Sequence, residues 1–171
     1  MSRGKILIAA LCAALALAIA GCGGSDDSSS STESSTAAPS ADASTNLDKR
    51  PTITVPEGAP PQQLEEREIV AGDGPEAKPG DYVTVQYAGV GYDSGEEFDA
   101  SWNRGEPFGF TLGASEVIKG WDQGVAGMKV GGRRELIVPP GLAYGPTGSP
   151  PVIGPNETLI FVVDLIAVEK G

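Results

Sequence analysis

Residues 81–90 read DYVTVQYAGV, and their apolar positions alternate: Val83, Val85 and Tyr87 fall on one side, Tyr82, Thr84 and Gln86 on the other. Successive side chains of a strand point to opposite faces of a sheet, so this period of two predicts a half-buried strand. The alternation recurs in PFGFTL (107–112), at Phe108, Phe110 and Leu112, and in RRELIVP (133–139), at Leu136 and Val138. QLEEREIV (63–70) precedes them, with the turn signals AGDG (71–74) and KPG (78–80) following it. TLIFVVDLIAV (158–168) is apolar almost throughout, the pattern of a central strand covered on both faces.

One segment breaks the period. In EVIKGWDQGVAGM (116–128), Val117, Trp121, Val125 and Met128 stand at i, i+4, i+8 and i+11, which is a helical stripe. Gly120, Gly124 and Gly127 interrupt it, each less favourable than Ala by about 0.8–1 kcal/mol in a helix interior. Five or six strands and a single helical stripe predict an α+β domain with an antiparallel sheet. A lone helix in such a domain covers the concave face of the sheet, and its glycines allow close approach to the strands. All ten aromatic residues lie between Tyr82 and Phe161, which puts the core in the C-terminal part.

The N-terminus follows different rules. MSRGK is basic, and ILIAALCAALALAIA (6–20) is an apolar run of 15 residues. A membrane span needs about 20, so the order basic-then-apolar reads as a secretory signal. IAGC (19–22) resembles the lipobox of bacterial lipoproteins, in which the thiol of the cysteine, here Cys22, takes a diacylglyceryl group. Ala18-Ile19-Ala20 also reads as a cleavage site for a free secreted protein, and an uncleaved anchor is a third reading. The position of the cysteine favours lipidation: Cys12 lies in the signal, so Cys22 is the sole thiol of the processed chain. That leaves no disulfide for the folded part. Positions 23–50 hold 12 Ser or Thr, which predicts a disordered tether spanning about 30 Å root-mean-square. The expected organisation is a signal peptide at 1–21, a Ser/Thr/Pro-rich tether at 22–62 starting at lipidated Cys22, and a folded domain at 63–171.

Charge and residue content narrow the chemistry. The whole chain carries a net charge of −11. Residues 1–21 contain Arg3 and Lys5 and no acid, so the remainder has ten basic residues against 23 acidic ones, or −13. Such a surface repels nucleic acid and anionic lipid. The chain contains no histidine, which removes His-based triads, His general bases and His metal ligands. With Cys22 lipidated, thiol nucleophiles and cysteine zinc sites are removed as well. DSGEEFD (93–99) lacks the spacing and terminal Glu of an EF-hand loop, and GVAGMKVGG (124–132) lacks the order of a phosphate loop. No metal and no cofactor are expected. What remains is a site of aromatic and aliphatic surface that binds an apolar ligand, or a reaction needing neither proton transfer nor a nucleophile.

Residues 85–145, VQYAGVGYDSGEEFDASWNRGEPFGFTLGASEVIKGWDQGVAGMKVGGRRELIVPPGLAYG, closely resemble the FKBP-type peptidyl-prolyl cis/trans isomerases. The resemblance continues through TGSPPVIGPNETLIFVVDLI (147–166) and covers roughly 63–171. Its motifs run in order: Y-x-G, FD, R-G-x-P-F-x-F, EVI-x-GW, a glycine-rich GM-x-VG, AYG and NxTLIF. The resemblance implies a half-barrel antiparallel sheet, five- to six-stranded, wrapped around one short helix. It also implies a pocket floored by Trp121, on which a substrate proline ring sits, and walled by Tyr87, Phe98, Phe108, Val117, Ile118 and Phe161. Asp99 matches the family's buried acid, Arg104 the basic residue that steadies it, and Tyr144 a hydroxyl that hydrogen-bonds the ligand. The N–H of Ile118 would hold a substrate carbonyl. On the residues alone, Trp121 reads as a core aromatic, Asp99 as a turn residue and Tyr144 as a half-buried loop aromatic.

The loop PPGLAYGPTGSPPVIGPN (139–156) holds six prolines and departs from the best-known members. Ser149 replaces a histidine, and Pro151 and Gly154 also differ, while Val152 and Ile153 keep the apolar contact. These changes bear on substrate preference and on affinity for macrolide inhibitors such as rapamycin. The expected function is a prolyl isomerase serving the folding of exported proteins, anchored on the extracytoplasmic face of the cell membrane. The alternative is a catalytically weak proline-peptide-binding chaperone or docking lipoprotein; a solute-capturing lipoprotein usually has two lobes. Expected partners are proline-containing exported polypeptides and, through the lipid, the membrane. A monomer is expected, with no nucleic-acid partner.

Overall fold

The computed structural model describes residues 45–171; the expected signal peptide, Cys22 and the expected tether up to residue 44 lie outside the described residues. In chain order these form β1 (Glu65–Val70), β2 (Tyr82–Gly91), β3 (Glu97–Ala100), α1 (Ser101–Arg104), β4 (Phe108–Thr111), α2 (Lys119–Gly124), β5 (Arg133–Val138) and β6 (Leu159–Glu169). The strands make one antiparallel sheet in the order β1-β5-β6-β2-β3, and β4 pairs with the other end of β2. β3 and β4 are thus two halves of one edge, separated by the single turn of α1.

The alternating segments fold as their pattern dictates. Val83, Val85 and Tyr87 of β2 are buried on the face that meets α2, and Tyr82 on the opposite side is exposed. β6 sits between β5 and β2, and Leu159 through Leu165 are all buried. Its odd-numbered residues join the main core with Leu136, Val138, Val125 and Met128.

The helical stripe is real as a burial pattern but short as a helix. Trp121, Val125 and Met128 are all buried, yet α2 spans only six residues, with Val125 as its C-cap. Gly127, at φ +78°, takes the chain out of helical geometry. Gly120 and Gly124 serve the close approach: a Cβ on Gly124 would lie 2.6 Å from Leu136 Cδ2, and one on Gly120 would overlap the side chain of Val138. Arg134 of β5 holds the end of the helix, donating to the carbonyls of Gly124 at 2.9 Å and Ala126 at 3.3 Å. The one-turn α1 and two 3-10 turns, Pro140–Leu142 and Gly145–Thr147, have no counterpart in the sequence pattern.

The opposite face of the sheet carries a second apolar cluster of Val90, Tyr92, Ile137 and Ile160. It is covered by Ile53 and Val55, residues assigned above to the tether. Beside them Pro51 is buried, and the carbonyl of Lys49 accepts a hydrogen bond of 2.9 Å from Arg133. Arg133 is fully buried and pairs with Asp164, whose carboxyl is pushed above its usual range by burial despite that partner. Residues 49–55 therefore form a strap across the back of the sheet.

Candidate active site

Trp121 is 4% exposed and forms the base of a cavity of about 270 Å3. Three rings meet the indole edge-on: Tyr87 at 4.9 Å, Phe161 at 5.3 Å and Phe108 at 6.2 Å between centroids. Edge-to-face contacts set the positive rim of one ring against the negative face of another, and each adds about 0.5–1.5 kcal/mol beyond area burial. The indole is therefore fixed in orientation by its neighbours. Its Nε1 is buried without a hydrogen-bond partner, so the floor presents an apolar surface.

One wall comes from an irregularity in the sheet. Gly89 of β2 pairs with Asp99, and the next residue, Val90, pairs with Glu97, so Phe98 is an extra residue on β3. Such a bulge re-aims side chains. As a result the neighbours Phe98 and Asp99 both line the cavity, although adjacent strand residues ordinarily point apart. Gly89 makes the packing possible: a Cβ there would lie 2.6 Å from Phe98 Cζ, in the space where Phe98 and Phe161 meet edge-on.

Asp99, Arg104 and Tyr87 close a ring of polar contacts at the mouth. The Tyr87 hydroxyl donates to Asp99 Oδ2, Arg104 Nη1 donates to Asp99 Oδ1, and Arg104 Nη2 donates to the Tyr87 oxygen at 2.9 Å. Burial, reinforced by the bond to Asp99, pushes the Tyr87 hydroxyl up to about 12, so it remains a proton donor. The bond to the Tyr87 hydroxyl raises Arg104 in turn. Ser101 ties this wall to β2, accepting a 2.8 Å hydrogen bond from the Tyr87 N–H.

The wall opposite is the approach to α2. Asp122 accepts the N–H groups of Gly113 at 2.8 Å and Ser115 at 3.2 Å, and Glu116 accepts that of Thr111 at 2.9 Å. These bonds hold Glu116, Val117 and Ile118 against the cavity. Ile118 is the extended N-cap of α2, so its own N–H lies outside the helical ladder. Tyr144 lines the remaining side from the loop after β5; burial, then the charge of Asp99, raises its hydroxyl above the ordinary value.

The structure thus gathers Tyr87, Phe98, Asp99, Phe108, Val117, Ile118, Trp121, Tyr144 and Phe161 around one cavity. Arg104 stands behind Asp99 and Tyr87. Ile153 packs in the main core, paired through its backbone with Ser149, and Val152 beside it is 62% exposed at the loop tip. Glu116, which opens the EVI motif, also lines the cavity, beyond the residues the family resemblance implies. Ser101 carries no signal in the sequence, and only its pairing with β2 reveals it. Among the described residues no cluster of three or more His, Cys, Asp or Glu could hold a metal ion.

Residues 74–166 match the family described as FKBP-type peptidyl-prolyl cis-trans isomerase. Over 121 residues the chain is 59% identical to the FK506-binding protein of Streptomyces anulatus, which spans 70% of this chain and 98% of that protein. The crystal structure of FkpA from Escherichia coli superposes with a TM-score of 0.58 at 44% identity, over 63% of this chain and 48% of that one. The crystal structure of AtFKBP13 gives a TM-score of 0.58 at 40% identity, over 61% of this chain and 91% of that one.

Proposed function

The chain belongs to the FKBP-type peptidyl-prolyl cis-trans isomerases and is an enzyme of that class, and from that premise we propose that it acts on proline-containing exported polypeptides outside the cytoplasm, held to the membrane by a lipid on Cys22. The location rests on the sequence: the basic-then-apolar start, IAGC at 19–22 and the Ser/Thr-rich stretch after it. Two acyl chains suffice for stable anchoring. No helix among the described residues is long and apolar enough to cross a membrane.

The reaction is rotation about the bond preceding proline. Amide resonance makes the barrier about 18–20 kcal/mol. The planar amide is a strong dipole that water stabilises, and the twisted transition state is less polar. Transfer into a cavity floored by Trp121 and walled by Phe98, Phe108 and Phe161 takes away that ground-state hydration. The proline ring lies on the indole, while the Ile118 N–H and the Tyr144 hydroxyl take substrate carbonyl oxygens. Hydrogen bonds that fit only the rotated carbonyl stabilise only the transition state, and each 1.36 kcal/mol so gained is a tenfold increase in rate. The Asp99–Arg104–Tyr87 ring keeps its wall in place without presenting an isolated charge to the substrate.

The observation that carries this reading is the oriented, buried indole beneath an open cavity. Exchange of a short X–Pro peptide, measured by NMR with the full chain, tests it. Trp121→Leu keeps an apolar floor but removes the plane, and kcat/KM is expected to fall by about tenfold or more, equivalent to about 1.4 kcal/mol. Unchanged turnover would overturn the assignment of Trp121. Fatty-acid labelling of wild type and Cys22→Ala tests the anchor: label on the wild type alone is expected, and equal labelling would refute it.

A further inference from the structure

The strap that crosses the back of the sheet reaches the wall that carries Asp99. Arg50, in the strap, donates from Nη1 to Asn103 Oδ1 at 2.9 Å and pairs through Nη2 with Glu97. Asn103 Nδ2 closes the triangle by donating to Glu97 Oε1 at 2.9 Å. Glu97 immediately precedes the bulge residue Phe98, and Asn103 immediately precedes Arg104. The guanidinium of Arg50 therefore joins the two ends of the short segment that supplies Phe98, Asp99 and Arg104 to the active site.

We infer that Arg50 is a positioning residue for the isomerase reaction, fixing the bulge and the turn of α1 so that Phe98, Asp99 and Arg104 keep their places around the cavity. Arg50 lies outside residues 74–166, the stretch matched to the family. The inference rests on the assignment of this cavity as the isomerase site.

Two features leave this segment open to further restraint. β3 has only four residues, is irregularly paired and lies at the edge of the sheet, so its own ladder supplies little restraint. α1 is a single turn whose N-cap has no side-chain hydrogen bond. Arginine suits the task because its planar fork spans two acceptors in fixed geometry, which a lysine ammonium does not. The strap itself is held without Arg50: Ile53 and Val55 pack on the second apolar cluster, Pro51 is buried, and the Lys49 carbonyl accepts from Arg133. Removing the Arg50 side chain therefore leaves the strap docked and loosens the wall, which keeps its Asn103–Glu97, Ser101–Tyr87 and Asp99–Arg104–Tyr87 bonds.

The test is kcat/KM of the full chain carrying Arg50→Ala, measured by NMR exchange on an X–Pro peptide well below the melting temperature. A fall of about three- to fivefold is expected, in keeping with the strength of an exposed ion-pair network. R50K, which reaches one acceptor at a time, is expected to recover part of the loss. In the Asp99→Asn background the effect of R50A is expected to shrink without vanishing, since Phe98 and Arg104 still depend on the clamp while the Asp99 carboxylate no longer does. Unchanged kcat/KM in R50A, or the same fold-loss with and without Asp99, would overturn the inference while leaving the active-site assignment untouched. Absent turnover in the wild type would instead strike the assignment itself. If R50A does not fold, Asn103→Ala, which removes two of the triangle's three bonds and leaves the Arg50–Glu97 pair, carries the test, with about a twofold fall expected and no fall contradicting it.

Discussion

Tyr87 shows how a single side chain can belong to the core and the site at once. Its ring packs edge-on against Trp121, and its hydroxyl joins Asp99 and Arg104 at the mouth of the cavity. Because burial and the bond to Asp99 lift that hydroxyl to about 12 from the ordinary 10.0, the unfolded chain loses this proton first as the pH rises. The stability Tyr87 contributes is thus fully present below pH 10 and is lost between about 10 and 12. A phenolate absorbance titration should show the corresponding step in wild type and lack it in Tyr87→Phe; a Tyr87-dependent step near pH 10 would contradict this account. Val152 makes the contrasting case. With its side chain exposed at the loop tip, Val152→Ser should leave the melting temperature within the scatter of surface substitutions, about ±0.5 kcal/mol in stability.

Among the elements, the short α2 and the bulged β3 both carry the site. The glycines of α2 give up helix propensity for proximity to β5. Gly124→Ala should therefore destabilise the protein by about 1–3 kcal/mol in denaturant melts, despite the better intrinsic helix former, because the added methyl enters Leu136. A gain in stability would show that the helix has room to retreat. β1, β2, β4, β5, β6 and the stripe of Trp121, Val125 and Met128 were legible in sequence because burial follows the period of the side chains, whereas the four-residue β3 was not. The length of α2 was not, since a stripe records which residues are buried and not where the backbone leaves the helix. The bulge at Phe98 was hidden for a related reason: EFDA looks like any short polar-apolar alternation, and the extra residue exists only relative to Gly89 on the neighbouring strand. Trp121, Asp99 and Tyr144 were reached through family resemblance, as their residue types alone fit core and turn roles equally well.

At the scale of the whole molecule, α2 covers one face of the sheet and the strap of residues 49–55 covers part of the other, over Val90, Tyr92, Ile137 and Ile160. Composition hid the strap, because RPTITVP carries only two large aliphatic residues and follows a long Ser/Thr-rich run. Those two, Ile53 and Val55, sit over Val90, Tyr92, Ile137 and Ile160. Replacing both by Ala should lower stability by about 1–3 kcal/mol through lost burial, read as a shift of the denaturation midpoint; no shift would mean the strap does not bear on the fold. The account as a whole rests on catalysis by an aromatic-floored cavity that strips water from the bond, with no proton in flight. The most direct test is kcat/KM of the full chain on an X–Pro peptide in H2O and D2O between pH 6 and 9. An enzyme using general acid–base chemistry shows a solvent isotope effect and a pH limb. The account predicts a ratio close to about 1 and a flat profile; a ratio of about 2 or more, or a sloping limb in that range, would contradict it.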